Sequence, residues 1–530
     1  MYYFKSNIKA EPLIWRWYAW PYLISPATAA CNIVERHLKI MHSYVQNPKI
    51  HAQAVKDPKM LGGPFIDLQG EKVEEVKTLI EETKKNCKTL IELCGDIKHL
   101  DKIILNECKG GTVETFYDRI PEMLKGIVEL VYDLNNHPSI RFIEPFLYKA
   151  YYTDIYQEIA LAEVKTDFRK FVFSTPRLNQ SDEVYLQIPF SDKRLDTLFK
   201  HKYEPCELNE IIRLFNISDS HCKLFESFFT NVPPKQNHEN NYSGNGIRIR
   251  YFGHACVLFE TDSTSILFDP VISYEVKDGI SRYTFADLPD YIDYIVITHN
   301  HLDHIMFETL LQLRHKTHNI VIPNSQNGAL ADPSMKLILK NIGFTSLLGL
   351  HELENIIFKD GEIIALPFFG EHCDLNIQSK LSYYLRIRDK NFILGADSNN
   401  LSSALYDHIF DITGSIDMLF LGMECDGAPL TWSYGPLLTN QINRTFDNSR
   451  TLSGSDFKKA WSITQKLKCK YAYVYAMGQE PWLNHVMALN YSLDSIQIIE
   501  SNKFVSACHA HGIESERLFG KKEWILSSLS

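Results

Sequence analysis

Apolar and polar positions divide the chain into two halves of different character. In the second half, short runs rich in Ile, Val, Tyr and Phe predict β-strands: IRIRYFGHACVLFE, SILFDPVI, YIDYIVITHN, NIVIP, EIIALPFF, SYYLRIR, FILGAD, IDMLFLGM and YAYVYAMG. Amphipathic runs between them, HIMFETLLQLRHK and MKLILKNIGF, predict helices. Strands that alternate with helices are typical of a layered α/β domain whose loops carry the chemistry.

The first half mixes helical and extended patterns. Residues 71–107 predict a long amphipathic helix broken at Gly95, and residues 113–134 predict a second helix. The runs RFIEPFLY, KFVFSTPRL and VYLQIPF predict strands, whereas LNEIIRLFNI and CKLFESFF predict helices. No catalytic or binding motif stands out in this half, so we interpret it as a structural or docking domain.

A stretch with almost no apolar residues separates the halves. Residues 231–246, NVPPKQNHENNYSGNG, combine Pro-Pro with several Asn and two Gly, and predict a solvated linker. The sequence therefore predicts an N-terminal mixed α/β domain at residues 1–230 and a C-terminal domain at residues 247–530. The isolated Gly-Asn-Gly of the linker does not follow a strand, so it is not a nucleotide-binding fingerprint.

Composition narrows the functional classes. The 530-residue chain has a net charge of −10, which argues against a nucleic-acid-binding surface. Its 11 cysteines form no C-x-x-C pair and suit a reducing cytoplasm. Residues 13–30 faintly resemble a secretion signal, but Arg16, Pro21 and Pro26 interrupt the apolar run. No other window approaches a membrane span, so we expect a cytoplasmic protein without membrane attachment.

The clearest chemical signal follows the predicted strand YIVIT. His299 and His301 are two residues apart, share a face of an extended segment and can bind one metal ion together. Asp303 and His304 lie where the strand gives way to a helix and face a second position. Four ligand-type residues within six positions, H-x-H-x-D-H, indicate a metal site.

This motif resembles the signature of the metallo-β-lactamase fold, a four-layer αββα sandwich with a two-metal site at its edge. The resemblance extends from about residue 246 onward. It implies that Y-F-G-H-A-C-V-L-F-E and S-I-L-F-D-P form the opening hairpin, with Asp269 as a supporting aspartate. It also implies that Asp397, at the end of ILGAD, bridges both metals.

The segment Gly370-Glu371-His372 leaves one ligand open. The two side chains are adjacent, so spacing does not decide which reaches the metal. With Glu371, three carboxylates would surround the metals beside three histidines, and hard oxygen donors suit iron. With His372, a histidine-rich site would suit zinc and hydrolysis.

The whole chain resembles a narrower family: the diiron amino-acid β-hydroxylases of non-ribosomal peptide biosynthesis, of the chloramphenicol-pathway type. The overall length, the large N-terminal domain and the complete metal string carry this resemblance, together with M-E-C-D-G-A-P-L-T-W-S-Y-G-P and A-M-G-Q-E-P-W-L-N-H. The resemblance implies that the iron ligands are His299, His301, Asp303, His304, Glu371 and Asp397, and that Glu371 is the residue on which catalysis depends.

The resemblance also implies the reaction and its partners. Two iron ions would activate O2 to β-hydroxylate an aminoacyl group, tethered as a phosphopantetheine thioester to a carrier (thiolation) domain of a synthetase. Electrons would come from an external donor through an electron-transfer partner. The N-terminal domain would serve homodimer contacts and access to the site.

Alternatives and open positions remain. A dizinc hydrolase of a thioester, lactone or phosphodiester would use His372 and a late histidine, for which His485 is the candidate. A metal-free module that recruits a carrier domain is a further alternative, against which the complete ligand string argues. Polar and aromatic residues close to the metal string could line a substrate channel; they are Glu424, Asp426, Trp432 and Tyr434.

Overall fold

The computed structural model describes residues 1–234 and 240–527, so residues 235–239 of the predicted linker lie outside the described part. The strands of the N-terminal half are β1 (Tyr3–Phe4), β2 (Ile8–Ile14), β3 (Trp17–Tyr18), β4 (Val128–Tyr132), β5 (Pro138–Phe142), β6 (Gln157–Glu163), β7 (Val184–Gln187) and β8 (Phe229–Thr230). Its helices are α1 (Pro21–Ile24), α2 (Pro26–Asn32), α3 (Lys39–Gln46), α4 (Pro48–Ala54), α5 (Val73–Asn86), α6 (Lys88–Glu107), α7 (Glu144–Tyr151), α8 (Lys193–Lys200), α9 (Leu208–Leu214) and α10 (Asp219–Ser227).

The C-terminal half alternates strands and helices as the sequence predicts. Its strands are β9 (Ile247–Gly253), β10 (Cys256–Glu260), β11 (Ser265–Phe268), β12 (Ile292–Val296), β13 (Thr317–Pro323), β14 (Leu347–Leu350), β15 (Asn355–Phe358), β16 (Gly361–Leu366), β17 (Ser382–Ile387), β18 (Lys390–Leu394), β19 (Met418–Gly422), β20 (Tyr471–Tyr475), β21 (Glu514–Arg517) and β22 (Lys522–Leu526). Its helices are α11 (Phe307–Leu313), α12 (Met335–Asn341), α13 (Ala404–Thr413), α14 (Leu430–Tyr434), α15 (Arg444–Ser449), α16 (Phe457–Lys466), α17 (Asn484–Met487) and α18 (Ile496–Ala510).

Two mixed sheets face each other in the C-terminal half. The first has the order β14-β13-β12-β11-β10-β9-β22 and the second β15-β16-β17-β18-β19-β20-β21. Their inner faces interdigitate in an apolar core, in which the ring centroids of Phe259 and Phe392 are 5.0 Å apart. Helices α13, α16 and α18 cover the outer face of the second sheet through Ile409, Ile463 and Phe504. This layering confirms the predicted αββα sandwich.

The outer face of the first sheet belongs to a core that both halves build. Helices α11 and α12 pack there, and so does the N-terminal half with its sheet β3-β2-β6-β7. Phe252, Leu258 and Ile295 of the first sheet lie in the same apolar cluster as Ile8 and Trp17. The N-terminal half thus contributes to the layer that covers the sheet from which the metal motif emerges.

A buried charge network joins the halves behind that motif. Glu308, on α11, accepts hydrogen bonds from Tyr18 and Tyr274 at 2.8 Å each. Arg169 pairs with Glu308 at 2.6 Å and also with Glu11 of β2. Because these charges are buried and mutually paired, the network fixes the N-terminal half against the helix that follows the ligand string.

Several predictions for the N-terminal half need correction. The helix predicted over residues 113–134 is wrong: Pro121 cannot donate a backbone hydrogen bond, Gly126 adopts φ +71°, and the chain continues as β4. The strand predicted in RFIEPFLY ends at Phe142, where α7 follows. The segment KFVFSTPRL forms no strand. Its backbone groups hydrogen-bond to other parts of the chain; for example, Arg177 N–H donates to the Arg16 carbonyl.

Other N-terminal predictions are confirmed with changed limits. The long helix exists as α5 and α6, but it breaks at Cys87 rather than at Gly95, which lies within α6. VYLQIPF contains β7, and α9 and α10 occupy the two predicted late helices. Residues 13–30 form the buried elements β3, α1 and α2 together with the end of β2. Within residues 1–234 and 240–527, no helix combines the length and apolar character of a membrane span.

Candidate metal centre

Strand ends from both sheets bring the predicted ligands together. Neighbouring strands β11 and β12 run parallel in the first sheet, so Asp269 and the H-x-H-x-D-H segment leave the sheet at the same edge. In the second sheet, β16 leads to Glu371 and β18 leads to Asp397. A bridge between His299 and Lys380 joins the two sheets at this edge.

The ligand-type side chains form three overlapping groups. His299, His301 and Glu371 form one; His299, His304 and Asp397 form the second; within each, the candidate ligand atoms lie within 4.8 Å of one another. His254, Asp303 and His304 form the third group. All six predicted ligands therefore converge on one site, and Asp397 lies between the two ends, 3.7 Å from His299 Nε2 and 3.1 Å from His304 Nε2.

Asp269 and Thr298 orient two of the histidines. Thr298 donates its hydroxyl hydrogen to Asp269 Oδ2 at 2.6 Å, so its oxygen accepts from His299 Nδ1 at 3.0 Å. Asp269 Oδ2 also accepts from His304 Nδ1 at 2.8 Å. With both Nδ1 atoms donating, the Nε2 atoms of His299 and His304 face the cluster, as metal ligands require.

Glu371 and His372 are both buried but occupy different places. Glu371 Oε1 lies 2.8 Å from His301 Nδ1, within the first ligand group. The His372 ring stacks on His301 at 4.4 Å, and His372 Nδ1 lies 2.6 Å from Glu371 Oε2. Glu371 thus belongs to a ligand group that does not include His372.

The loop that carries Glu371 is strained. Gly370, Glu371, Cys373 and Asp374 all have φ between +54° and +75°. For residues other than glycine this conformation is unfavourable and persists where the surroundings enforce it. At Gly370 a Cβ atom would come within 2.6 Å of Asn399. The surrounding structure therefore holds this loop in an unfavourable backbone conformation, and that conformation positions the Glu371 carboxylate.

His254 is a site residue that the sequence analysis missed. It lies in the predicted Y-F-G-H-A-C hairpin, with φ +53° in the turn between β9 and β10. Its Nδ1 accepts from Gly478 N–H at 3.2 Å, so its Nε2 carries the hydrogen and donates to Asp303 Oδ2 at 2.9 Å. His254 therefore orients Asp303. In the sequence, the histidine at this predicted hairpin turn was the signal that could have indicated a site residue.

The electrostatics favour a bound cation. His299 Nε2 and Asp397 Oδ1 are buried and, among the described residues, have no hydrogen-bond partner. Burial opposes a charged His304, yet the carboxylates of Asp397, Asp303 and Asp269 hold its pKa well above the ordinary value. Buried carboxylates and imidazoles that converge without partners are the donors a metal pair needs, so the residues present fit two iron ions.

The candidate channel residues and His485 lie in different places. Tyr434 Oη lies 3.4 Å from His301 Nε2, whereas Trp432 lines a cleft further out. Burial and then the charges of Asp397, Asp303 and Glu371 raise the pKa of Glu424, whereas Asp426 is exposed. His485 belongs to none of the three groups; its ring meets Tyr18, and its carbonyl accepts from Val172 N–H.

Aromatic residues of the N-terminal half reach the same region. Tyr22 lies 6.3 Å from Tyr434 between ring centroids and donates to the Ala331 carbonyl. Trp20 stacks on Tyr22 at 4.8 Å. Neither residue was predicted from sequence, because the run LIWRWYAWPYL offers only an apolar pattern and no chemical motif.

Comparisons with known proteins cover both halves. Residues 3–233 match the family described as the diiron non-heme beta-hydroxylase N-terminal domain, and residues 248–360 match the beta-lactamase superfamily domain. The 4-amino-L-phenylalanyl-[CmlP-peptidyl-carrier-protein] 3-hydroxylase of Streptomyces venezuelae is 36% identical over 529 residues, 98% of each chain.

Solved structures agree with these sequence matches. The crystal structure of CmlA, a diiron beta-hydroxylase from Streptomyces venezuelae, superposes with a TM-score of 0.92 at 35% identity over 99% of each chain. A mutant of the CmlA beta-hydroxylase superposes with a TM-score of 0.91 at 34% identity, over 99% of this chain and 100% of that one. The resemblance inferred from the sequence is confirmed: the chain belongs to the diiron non-heme β-hydroxylase family.

Proposed function

We propose that this chain is an O2-dependent diiron monooxygenase that β-hydroxylates an aminoacyl group, tethered as a phosphopantetheine thioester to a carrier domain of a non-ribosomal peptide synthetase. The observation that carries this proposal is similarity along the whole chain, 36% identity over 98% of its length, to a hydroxylase named for a carrier-bound aminoacyl substrate. The N-terminal half shares in that similarity, which a likeness limited to the metal domain would not explain.

The proposed iron ligands divide between two positions. His299, His301 and Glu371 would hold one ion, Asp303 and His304 the other, and Asp397 would contact both. When bound, the iron pair would activate dioxygen, one atom of which would reach the β-carbon while the other would leave as water, with two electrons from the external donor and two protons. Three carboxylates beside three histidines support iron over zinc, because anionic oxygen donors suit the higher charges of iron.

The remaining residues of the site orient the proposed ligands and shield them from water. Asp269 and Thr298 accept from the Nδ1 atoms of His304 and His299 and so turn the Nε2 atoms of both rings toward the cluster, and His254 holds Asp303. Their burial excludes water, so these hydrogen bonds act in a low-dielectric environment and hold the ligand atoms in position before any ion binds.

Partners and domain limits also belong to this proposal. The domains are 1–230 and 247–530 with the linker 231–246; the family matches at 3–233 and 248–360 support this division. The partners are the loaded carrier domain, an external electron donor and a second copy of the chain, with the N-terminal domain forming the dimer contacts. The location is the cytoplasm, which the 11 free cysteines support.

The dizinc hydrolase is the rival function. Its support is His372, a buried imidazole whose Nε2 has no hydrogen-bond partner within residues 1–234 and 240–527. Against it, His372 lies outside the ligand groups, and the ring of His485 packs against Tyr18 of the N-terminal half. The whole-chain relatives favour the hydroxylase.

Mass spectrometry of an aminoacyl-loaded carrier separates the two functions. Incubation with the reduced, iron-loaded enzyme in air should add one oxygen atom to the aminoacyl group, which remains on the carrier. The same mixture without oxygen should show no change. Asp407→Asn, a change at an exposed residue of α13, should hydroxylate like the wild type. Release of the aminoacyl group from the carrier would instead establish a hydrolase and contradict the proposal.

A further inference from the structure

A cleft opens between the N-terminal half and α14, beside the metal centre. Its volume is about 510 Å³, within the range typical of small-molecule sites. Aromatic rings from both halves form its walls, and basic side chains lie among them; the residues that matter are Arg36, Lys39, Phe171, Phe173 and Trp432. The metal-centre residues described above are not among those that line it.

Arg36 is a buried cation without a counter-ion. Its side chain is only 9% exposed, and its Nη2 donates to the carbonyls of Trp432 at 2.6 Å and Ser433 at 3.3 Å. No carboxylate within residues 1–234 and 240–527 forms an ion pair with it, and burial lowers its pKa to about 10. An uncompensated buried charge is costly, so a guanidinium that lines a cleft favours an anionic ligand there.

The other charges at the cleft do not cancel Arg36. Glu35 is the acidic residue among the lining side chains, and both Lys39 and Lys98 pair with it. The side chain of Lys39 is 66% exposed and also lines the cleft. The cleft therefore keeps an excess of positive charge.

The local backbone is unusual at the same place. Arg36 lies within a π-helical segment, Ile33–Leu38, a conformation that is rare and concentrated at functional sites. Trp20 and Phe173 flank the guanidinium at 5.8 Å and 5.3 Å from the ring centroids. These rings hold Arg36 toward the cleft without neutralising its charge.

The helix α14 connects the cleft with the metal centre. Trp432 lines the cleft, and Tyr434, two residues later, lies 3.4 Å from His301 Nε2. Two helical residues rise about 3 Å, so one tyrosine side chain and a short piece of helix separate the cleft wall from a predicted ligand. The cleft wall and the Tyr434 side chain that approaches His301 thus belong to the same short helix.

We infer that this cleft binds the phosphodiester of the carrier's phosphopantetheine arm, with Arg36 and Lys39 donating to its oxygens and Trp432 and the two phenylalanines packing against the arm. The inference rests on the proposed function, because that function supplies the ligand. The arm then positions the aminoacyl group on the Tyr434 side of the cluster.

Isothermal titration calorimetry of the full-length, iron-loaded protein tests this site with three probes: phosphopantetheine, pantetheine and inorganic phosphate. Phosphopantetheine should bind about tenfold more tightly than pantetheine, since a hydrogen-bonded charge pair contributes that much. Inorganic phosphate should bind more weakly than phosphopantetheine because it lacks the arm. Equal affinities for phosphopantetheine and pantetheine would overturn the inference, and equal affinities for phosphopantetheine and phosphate would show a simple anion site.

Variants assign the preference to the cleft. Arg36→Met should abolish the difference between phosphopantetheine and pantetheine, and Lys39→Ala should reduce it. Arg213→Met, which removes the same charge from the exposed face of α9, should keep it. Persistence of the full preference in Arg36→Met would overturn the inference. Should Arg36→Met fail to fold, the wild-type probe comparison and the exposed Lys39→Ala variant still decide.

The outcome can be separated from that of the proposed function. Binding is measured without an aminoacyl group, whereas hydroxylation is measured on the loaded carrier. A preference for phosphopantetheine without hydroxylation would support the cleft site and contradict the proposed hydroxylase function. Hydroxylation without that preference would support the function and contradict the cleft site.

Discussion

Glu371 Oε1 lies 2.8 Å from His301 Nδ1, although the neighbouring residue His372 is equally buried and stacks on the same histidine. Glu371 has a left-handed backbone conformation, with φ +65°, in the loop that carries both residues. Its carboxylate belongs to a ligand group that does not include His372.

The first prediction concerns this pair. Glu371→Ala should leave at most about one iron ion per chain, because the first ion loses its carboxylate, whereas His372→Ala should keep more than half of the wild-type iron. Iron analysis and visible absorption of purified protein measure the outcome. Loss of iron in His372→Ala alone would indicate the hydrolase-like ligand set.

The second prediction concerns Asp269. Asp269→Asn should lower iron affinity by roughly 10- to 100-fold, because the amide accepts less strongly from Thr298 and His304 and no longer fixes the ring orientation. Competition with a chelator measures the affinity. Asp407→Asn, at an exposed site on α13, provides the matched control and should not change it. Equal affinity in both variants would show that Asp269 does not support the ligands.

The third prediction concerns the charge network between the halves. Arg169→Met should reduce the free energy of unfolding by roughly 3–5 kcal/mol, because it removes the ion-pair partner of the buried Glu308 and one partner of Glu11, which keeps Arg177. Chemical denaturation measures this change. Arg194→Met breaks the more exposed pair with Asp192 and should cost less than about 1 kcal/mol. Similar losses in both variants would contradict the argument.

The fourth prediction concerns pH. Glu144 on α7 accepts from Ser334 N–H at the start of α12, and burial raises its pKa from 4.5 to about 7. The folded state therefore binds this proton more tightly than the unfolded state, and stability falls as pH rises from 4.5 to 7. The loss amounts to roughly 3 kcal/mol.

Glu144→Gln tests this pH dependence, because the amide oxygen still accepts from Ser334 but does not ionise. Unfolding measured between pH 4 and pH 8 should show a flatter profile and higher stability than wild type at the alkaline end. Glu122→Gln, at an exposed position, should follow the wild-type profile. A steep decline retained in Glu144→Gln would assign the pH dependence to other groups.

The C-terminal fold could be predicted from sequence because its strands are apolar on both faces and its ligands follow strand ends. His299, Asp397 and Glu371 each stand directly after such a run, so local pattern and function coincide. The choice of Glu371 over His372 did not follow from spacing. It depends on backbone conformation in a loop, which the residue types around Gly370 do not specify.

The N-terminal half was harder because tertiary contacts override local preference there. Residues 113–134 carry helix-forming side chains, but Leu130 is buried within a two-stranded sheet, where it packs better than on a helix. His254 and Tyr22 reach the metal centre from distant parts of the chain, one from a hairpin turn and one from an apolar run. The predicted hairpin turn was a signal for His254, whereas no neighbour in sequence indicates the role of Tyr22.

The core shared by both halves limits how this enzyme could have been assembled from modules. An αββα sandwich that acts alone must cover its first sheet with its own helices, whereas here that covering depends on residues such as Ile8 and Trp17. A shortened chain that starts at Ile247 would expose apolar surface and should aggregate. Exchange of the N-terminal half between relatives would therefore succeed only if this buried surface is transplanted as well.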